Sequence, residues 1–208
     1  MRKHRVRHPK NGEHNPAMTP ETPGYTRARR LLSLSSVVQG ALPVLRAAVA
    51  NTAVLRVAMD AHAPLVEVNP VAMHRVLMKL VQNASQAIRQ PDGVIEIGVA
   101  GMTSSDCPSR PFVRLTVADN GIGMDSATVG NLRRQLLEPA DAHGAGLGLR
   151  IVHRAIRAHG GRLQIDSQPG LGTTVRIDLP AAAQRTGLHD SGAREGEDPN
   201  STGRQSHG

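Results

Sequence analysis

Residues 70–88 carry Met73, Val76, Leu77, Leu80, Val81, Ala84 and Ile88 at spacings of three and four. That period gathers them on one face of a helix. Asn69 at the cap and Pro70 at the first helical position mark where it begins. A helix with a single apolar face must be covered by a second layer. Segments able to cover it alternate apolar and polar residues: VLRVAMD, GVIEIGVAG, FVRLTVA, RLQIDS and TTVRIDLP. A period of two is that of strands with one solvated face, and PLVEV reads as a further short strand. QPGLG between the last two strands is a turn, so these neighbours run antiparallel. SSVVQGALPVLRAAVANT reads as a helix with an irregularity at Gly40 or Pro43. SATVGNLRRQLLEP reads as a short helix or a mobile segment, and LGLRIVHRAIRAHGG as a helix stopped by Gly160 and Gly161. The fold class expected is α/β (α+β), a two-layer sandwich. A mixed, largely antiparallel sheet would pack under about three helices.

The core of such a sandwich must be aliphatic, because aromatic residues make up 1% of the chain and Tyr25 and Phe112 are the only two. The same shortage argues against a surface that stacks nucleobases. The formal charge of +8 is uneven: residues 1–30 hold eight Lys/Arg against Glu13 and Glu21. Residues 1–30 and 181–208 lack apolar periodicity and read as disordered tails. They flank one domain over 31–180. The basic tail reads as a solvated extension, so a nucleic-acid partner is not expected. Cys107 is alone, which excludes an internal disulfide and fits a reducing, cytoplasmic compartment. No apolar run approaches the ~20 residues of a membrane span.

Three places could carry chemistry. Lys79, Asn83 and Gln86 form a second stripe on the helix 70–88. It suits a solvated face, and it equally suits a face turned to a ligand. Asn is a mediocre mid-helix residue, and its amide oxygen is a hard ligand of the kind Mg²⁺ takes alongside phosphates. In HGAGLGLRIV, glycines 144, 146 and 148 open a helix whose free N–H groups attract anions. Neither GxGxxG nor GxxxxGK(S/T) is present, which excludes the common dinucleotide and Walker-type sites. In VADNGIGMD, Asp119 ends a strand before Gly121 and Gly123. It is a turn former, or it reads a ligand. A buried carboxylate only accepts hydrogen bonds, so it would pair with the amine of adenine and oppose the carbonyl of guanine.

These stretches resemble, in order, the motifs of the GHKL ATPase superfamily. The likeness is closest to the ATP-binding catalytic domain of bacterial sensor histidine kinases. VLMKLVQNASQAI is similar to the N box, DNGIG to the first glycine box and GAGLGL to the second. GGRLQIDSQPGLGTTVRIDLP is similar to the family's closing hairpin, with its SxxGxGT signature, so the likeness runs from about 32 to 180. The resemblance implies ATP and Mg²⁺ as ligands. Asn83 would be the Mg²⁺ ligand and Asp119 the adenine contact. Gly121 and Gly123 would line the base pocket, and Thr173 would reach the adenine edge through water. Gly144, Gly146, Leu147 and Gly148 would belong to the lid over the phosphates. Lys79 stands where the family usually has Asn and where ATP-hydrolysing cousins have a general-base Glu; as a cation it would contact a phosphate instead. LLEP is followed by only four residues before Gly144, a short lid. No H-E-x-x-x-P phosphoacceptor motif occurs. His74, His153 and His159 read as structural, so no catalytic residue is expected within the chain. The expected function is phosphoryl transfer from ATP to a histidine on another domain or chain. The partners would be a dimerisation and phosphoacceptor domain and a response regulator. The alternatives are an anti-sigma-type serine kinase, which shares the fold, and an ATP-binding module that does not transfer.

Overall fold

The computed structural model describes residues 29–49, 53–104, 107–137 and 147–182. In chain order the elements are β1 (Arg30–Leu32), α1 (Leu34–Ala48), β2 (Ala53–Met59), β3 (Val66–Val68), α2 (Pro70–Ala87), β4 (Gly93–Ser104), β5 (Cys107–Asp119), α3 (Ser126–Leu137), α4 (Leu147–Ala158), β6 (Arg162–Gln168) and β7 (Gly172–Pro180). The two tails read from the sequence fall almost wholly outside the described residues. Arg30 pairs with Val68, and Ala181 bridges Val66, so the ordered chain reaches to both ends of the patterned region.

The apolar stripe of α2 behaves as its spacing requires. Ala72, Met73, Val76, Leu77, Leu80, Val81 and Ala84 are buried. The helix starts where Asn69 Oδ1 accepts from the backbone N–H groups of Val71 and Ala72, at 2.9 and 3.1 Å. Those are two of the donors that a helix start leaves unpaired. Each fully buried Leu, Met or Val adds about 1.5–3 kcal/mol. The covering layer is a five-stranded sheet in the order β2-β4-β5-β7-β6. β2 runs parallel to β4, because β3 and α2 form the connection between them, and the other three pairings are antiparallel. Ile95, Ile97 and Val99 of β4, Val113, Leu115 and Val117 of β5, and Val175, Ile177 and Leu179 of β7 point inward. The alternate residues form the outer face. There Arg114 grips Asp178 with two hydrogen bonds of 2.7 and 2.8 Å, and its guanidinium sits 5.4 Å from the Phe112 ring centre.

Two details depart from the sequence reading. PLVEV does not join the main sheet. Its Val66–Val68 pairs with Arg30–Leu32 in a separate two-stranded sheet, and Arg30–Leu32 was not read as a strand. A three-residue partner is too short for periodicity to reveal. Among the described residues the helices number four, since SATVGNLRRQLL folds as α3. Asp125 starts it, its carboxylate accepting from Thr128 N at 2.6 Å and its carbonyl from Val129 N at 3.0 Å. α1 and α4 flank α2: Pro43 lies inside α1, and α4 runs antiparallel to α2. Gly148 at the start of α4 lies beside Asn83, and His159 beyond its end meets Asn69. His159 is 3% exposed; its Nε2 accepts from Asn69 N at 3.0 Å, which leaves its proton on Nδ1, 2.6 Å from Ala155 O. It joins the end of α4 to the start of α2, as expected of a structural histidine.

Candidate functional site

Between α2 and the sheet lies a cavity of about 390 Å³. Leu80, Asn83, Ala84, Gln86 and Ala87 of α2 form one wall, and Val117, Asp119, Thr173 and Val175 of the sheet form the other. Ile122, Gly123 and Met124 close one end, while Gly148 and Leu149 of α4 stand at the other with Leu132 of α3. Asp119 is the one titratable side chain among these lining residues. The walls around it are mostly apolar, with a few polar groups, as in most small-molecule sites.

Asp119 ends β5 opposite Thr173 of β7. Its Oδ1 accepts from Gly121 N at 2.9 Å. Burial pushes its carboxyl above the usual aspartate value, against the opposite pull of the N–H groups of Gly121 and Thr173. The remaining acceptor capacity faces an apolar cleft, where an unpaired carboxylate is costly and a donor on a ligand is correspondingly favoured.

The loop after Asp119 is held by glycines for reasons of fit. Gly123 has φ +63°, and a Cβ there would lie 1.8 Å from Gln168 O. Gly172 has φ +94°, and a Cβ there would lie 1.9 Å from Asp119 O. A side chain at either position meets both the left-handed penalty and a backbone clash. Gly121 differs from its expected place: it is absent from the cavity lining and packs on α2, where a Cβ would come 2.6 Å from Ala87 O. Its N–H is what reaches Asp119. The glycines thus make room for neighbouring backbone more than for a ring.

Asn120 had no assigned role in the sequence reading. Its Oδ1 accepts from Val94 N at 2.8 Å and its Nδ2 donates to Asp92 O at 3.0 Å. It ties the loop to the start of β4. Ser167 was missed too, although SxxGxGT contains it. Its Oγ meets Met124 N, Gly172 O and Thr173 Oγ1 at 2.9, 3.0 and 2.9 Å. Side-chain pairings of this kind leave no periodic trace in a sequence.

At the opposite end, a methyl placed on Gly148 would lie 3.8 Å from Asn83 Oδ1 and 3.7 Å from Lys79 Cδ. The start of α4, the amide of Asn83 and the stem of Lys79 therefore converge. A helix start presents N–H groups that have no partner within the helix, and their partial positive charge suits an anion. Of the lid residues, Gly144 and Gly146 lie outside the described residues, and Leu147 is the first residue of α4. No cluster of three His, Cys, Asp or Glu occurs among the described residues, so a metal held by protein alone has no site there. One amide oxygen beside a helix start fits Mg²⁺ in the way that ion usually binds. It keeps waters and takes few protein ligands beside the phosphates of a nucleotide.

Comparison with known proteins agrees with this geometry. Residues 68–183 match the family described as "Histidine kinase-, DNA gyrase B-, and HSP90-like ATPase". The chain belongs to that family. The sensor protein FixL of Bradyrhizobium diazoefficiens is 33% identical over 156 residues, 74% of this chain and 30% of that protein. The sensory histidine kinase/phosphatase NtrB of Rhizobium leguminosarum bv. phaseoli is 31% identical over 159 residues, 67% of this chain and 38% of that protein. The chain thus spans less than two-fifths of the length of these curated relatives. Among solved structures, the mycobacterial sensor histidine kinase MprB superposes with a TM-score of 0.56 at 20% identity, covering 74% of this chain and 98% of that one. Full-length ShkA in complex with AMPPNP gives 0.59 at 19% identity, covering 75% of this chain and 32% of that one. These likenesses bear out the two-layer sandwich. No helix among the described residues is long and apolar enough to cross a membrane.

Proposed function

We propose that this chain binds Mg-ATP and passes the γ-phosphoryl group to a histidine on a dimerisation and phosphoacceptor domain, in a two-component pathway ending at a response regulator. The observation that carries the reading is the half-buried Asp119, the one titratable group lining a mostly apolar cavity, set at the opposite end from the start of α4. A carboxylate there selects a purine bearing an amine. Adenine would lie between Asp119 and the apolar residues of α2, and the triphosphate would extend toward Asn83, Lys79 and the first turn of α4. Mg²⁺ held through Asn83 would neutralise phosphate charge.

The chain's own part is to bind and orient. Phosphoryl transfer needs little covalent help from protein groups. The bond from the γ-phosphorus to the bridging oxygen breaks, ADP leaves, and a nitrogen–phosphorus bond forms on the incoming imidazole. Lys79 is cationic and offers no base to activate water, which favours transfer over hydrolysis. A reducing, cytoplasmic setting suits such a pathway.

The test is to incubate the chain with γ-labelled ATP, Mg²⁺ and a phosphoacceptor domain from a sensor histidine kinase. Label that appears on the domain and is lost in acid supports the proposal. Acid-stable label points to a serine kinase. Binding of Mg-ATP without transfer to any acceptor points to a non-transferring module.

A further inference from the structure

We infer that Ser167 is a specificity-determining residue: it fixes the direction of the Thr173 hydroxyl so that Thr173 offers an acceptor, and not a donor, to the nucleobase. The inference rests on the nucleotide reading of the cavity and concerns which purine it admits.

The argument is one of proton bookkeeping. Ser167 Oγ carries one proton and two lone pairs. Gly172 O, 3.0 Å away, can only accept, so it takes the serine proton. Met124 N can only donate, so it fills one lone pair from 2.9 Å. One lone pair remains, facing Thr173 Oγ1 at 2.9 Å. If the serine gave its proton to Thr173 instead, its oxygen would face Gly172 O at 3.0 Å with nothing between them. Thr173 must therefore donate to Ser167. Its own proton is spent on the protein, and its free lone pairs remain for the cavity that it lines.

Asp119 and Thr173 face each other across the β5–β7 pair, and the N–H of Thr173 itself holds the carboxylate. The base end of the cavity is then a double acceptor. Adenine carries an amine with two N–H donors at position 6, where guanine and hypoxanthine carry a carbonyl. A 6-oxo purine sets an oxygen against these acceptors at position 6, where adenine sets two donors. Ser167 does not line the cavity. It acts through Thr173, and through Met124 it ties the same loop whose glycines close the site.

The test compares dissociation constants for Mg-ATP and Mg-ITP by calorimetry in wild type, Ser167→Ala, Thr173→Val and the double variant. ITP replaces the 6-amine of ATP with a carbonyl and carries a proton on N1. With Ser167 gone, the Thr173 hydroxyl is free to turn and donate to that carbonyl. The preference for ATP over ITP should narrow about tenfold, the size of one inverted hydrogen bond. In the Thr173→Val background, Ser167→Ala should leave the preference unchanged. An unaltered preference in Ser167→Ala, or equal narrowing in both backgrounds, overturns the inference, because a merely structural serine would lower both affinities together. Should Ser167→Ala fail to fold, Ser167→Thr keeps the hydroxyl and should retain the wild-type preference; its loss in a folded Ser167→Thr protein overturns the inference equally. If wild type binds neither nucleotide, the nucleotide reading itself falls, and this inference with it.

Discussion

The helical layer and the sheet differ in charge. α1, α2, α3 and α4 contain Arg46, Arg75, Lys79, Arg133, Arg134, Arg150, Arg154 and Arg157, and no Asp or Glu. Every carboxylate among the described residues sits on a strand or in a loop. On the sheet these are largely matched, as in Arg114–Asp178, Arg56–Glu96 and Arg176–Asp166. Among the described residues Asp119 has no such cationic partner, and N–H groups hold it instead. The cavity lies between the two layers and inherits both characters. Its sheet wall offers acceptors to a neutral base bearing an amine. Its helical wall supplies an amide, a helix start and an excess of positive charge for a polyanion. A nucleotide has that same polarity, and the fit fixes which way round it would lie.

The contrast can be broken from the sheet side first. Gly123→Ala should have the largest effect. The left-handed backbone alone costs about 1–3 kcal/mol, and the 1.8 Å clash with Gln168 O adds to it. Urea unfolding should show the loss, and nucleotide binding should fall with it. Asp119→Asn removes the charge but keeps the shape. ATP affinity should drop about 10- to 100-fold, as expected for a hydrogen bond to a charged group, while thermal stability stays close to wild type. Wild-type affinity in that variant would sink the base-reading role.

The helical wall should answer differently. Asn83→Ala should abolish the Mg²⁺-dependent part of ATP binding and leave adenosine binding unchanged, measured by calorimetry with and without the ion. Acidity probes the sheet wall again. Burial raises the Asp119 carboxyl above its ordinary value, so it takes up a proton earlier as pH falls. A 6-amino purine needs the ionised form, so ATP affinity is full above that raised pKa and declines as pH drops through it. Asp119→Asn should lack this part of the profile. Without ligand the sign reverses: the fold favours the protonated carboxyl, so this group costs stability as pH rises from its unfolded to its folded pKa. Lys79→Ala should have the smallest effect, a few-fold loss of ATP affinity that shrinks in high salt, since Lys79 is exposed.

Much of this was legible beforehand. Repeated patterns announce themselves, so α2 with its cap and the strands with a solvated face could be read at once. Motifs were legible for a second reason: Asp119 and Thr173 stand at fixed offsets from glycines, and Asn83 lies on the polar stripe of α2. What escaped has no period. β1 is three residues long and becomes a strand only because Val66–Val68 lies beside it. Gly121 looked like a pocket residue, yet its neighbour is Ala87 of α2, thirty-four positions back. Ser167 and Asn120 work through contacts with partners distant in the chain.

By itself, then, the sequence determined the two-layer architecture and the aliphatic core, and it pointed to Asn83, Asp119 and Thr173 among the cavity residues, because periodicity and local motifs act over a few neighbouring residues. Only the tertiary structure decided that Asp119 is half-buried, which glycines face backbone and which face the cavity, and that Ser167 meets the Thr173 hydroxyl. Those properties depend on desolvation and on hydrogen-bond partners supplied by other elements, and no local stretch of chain contains them.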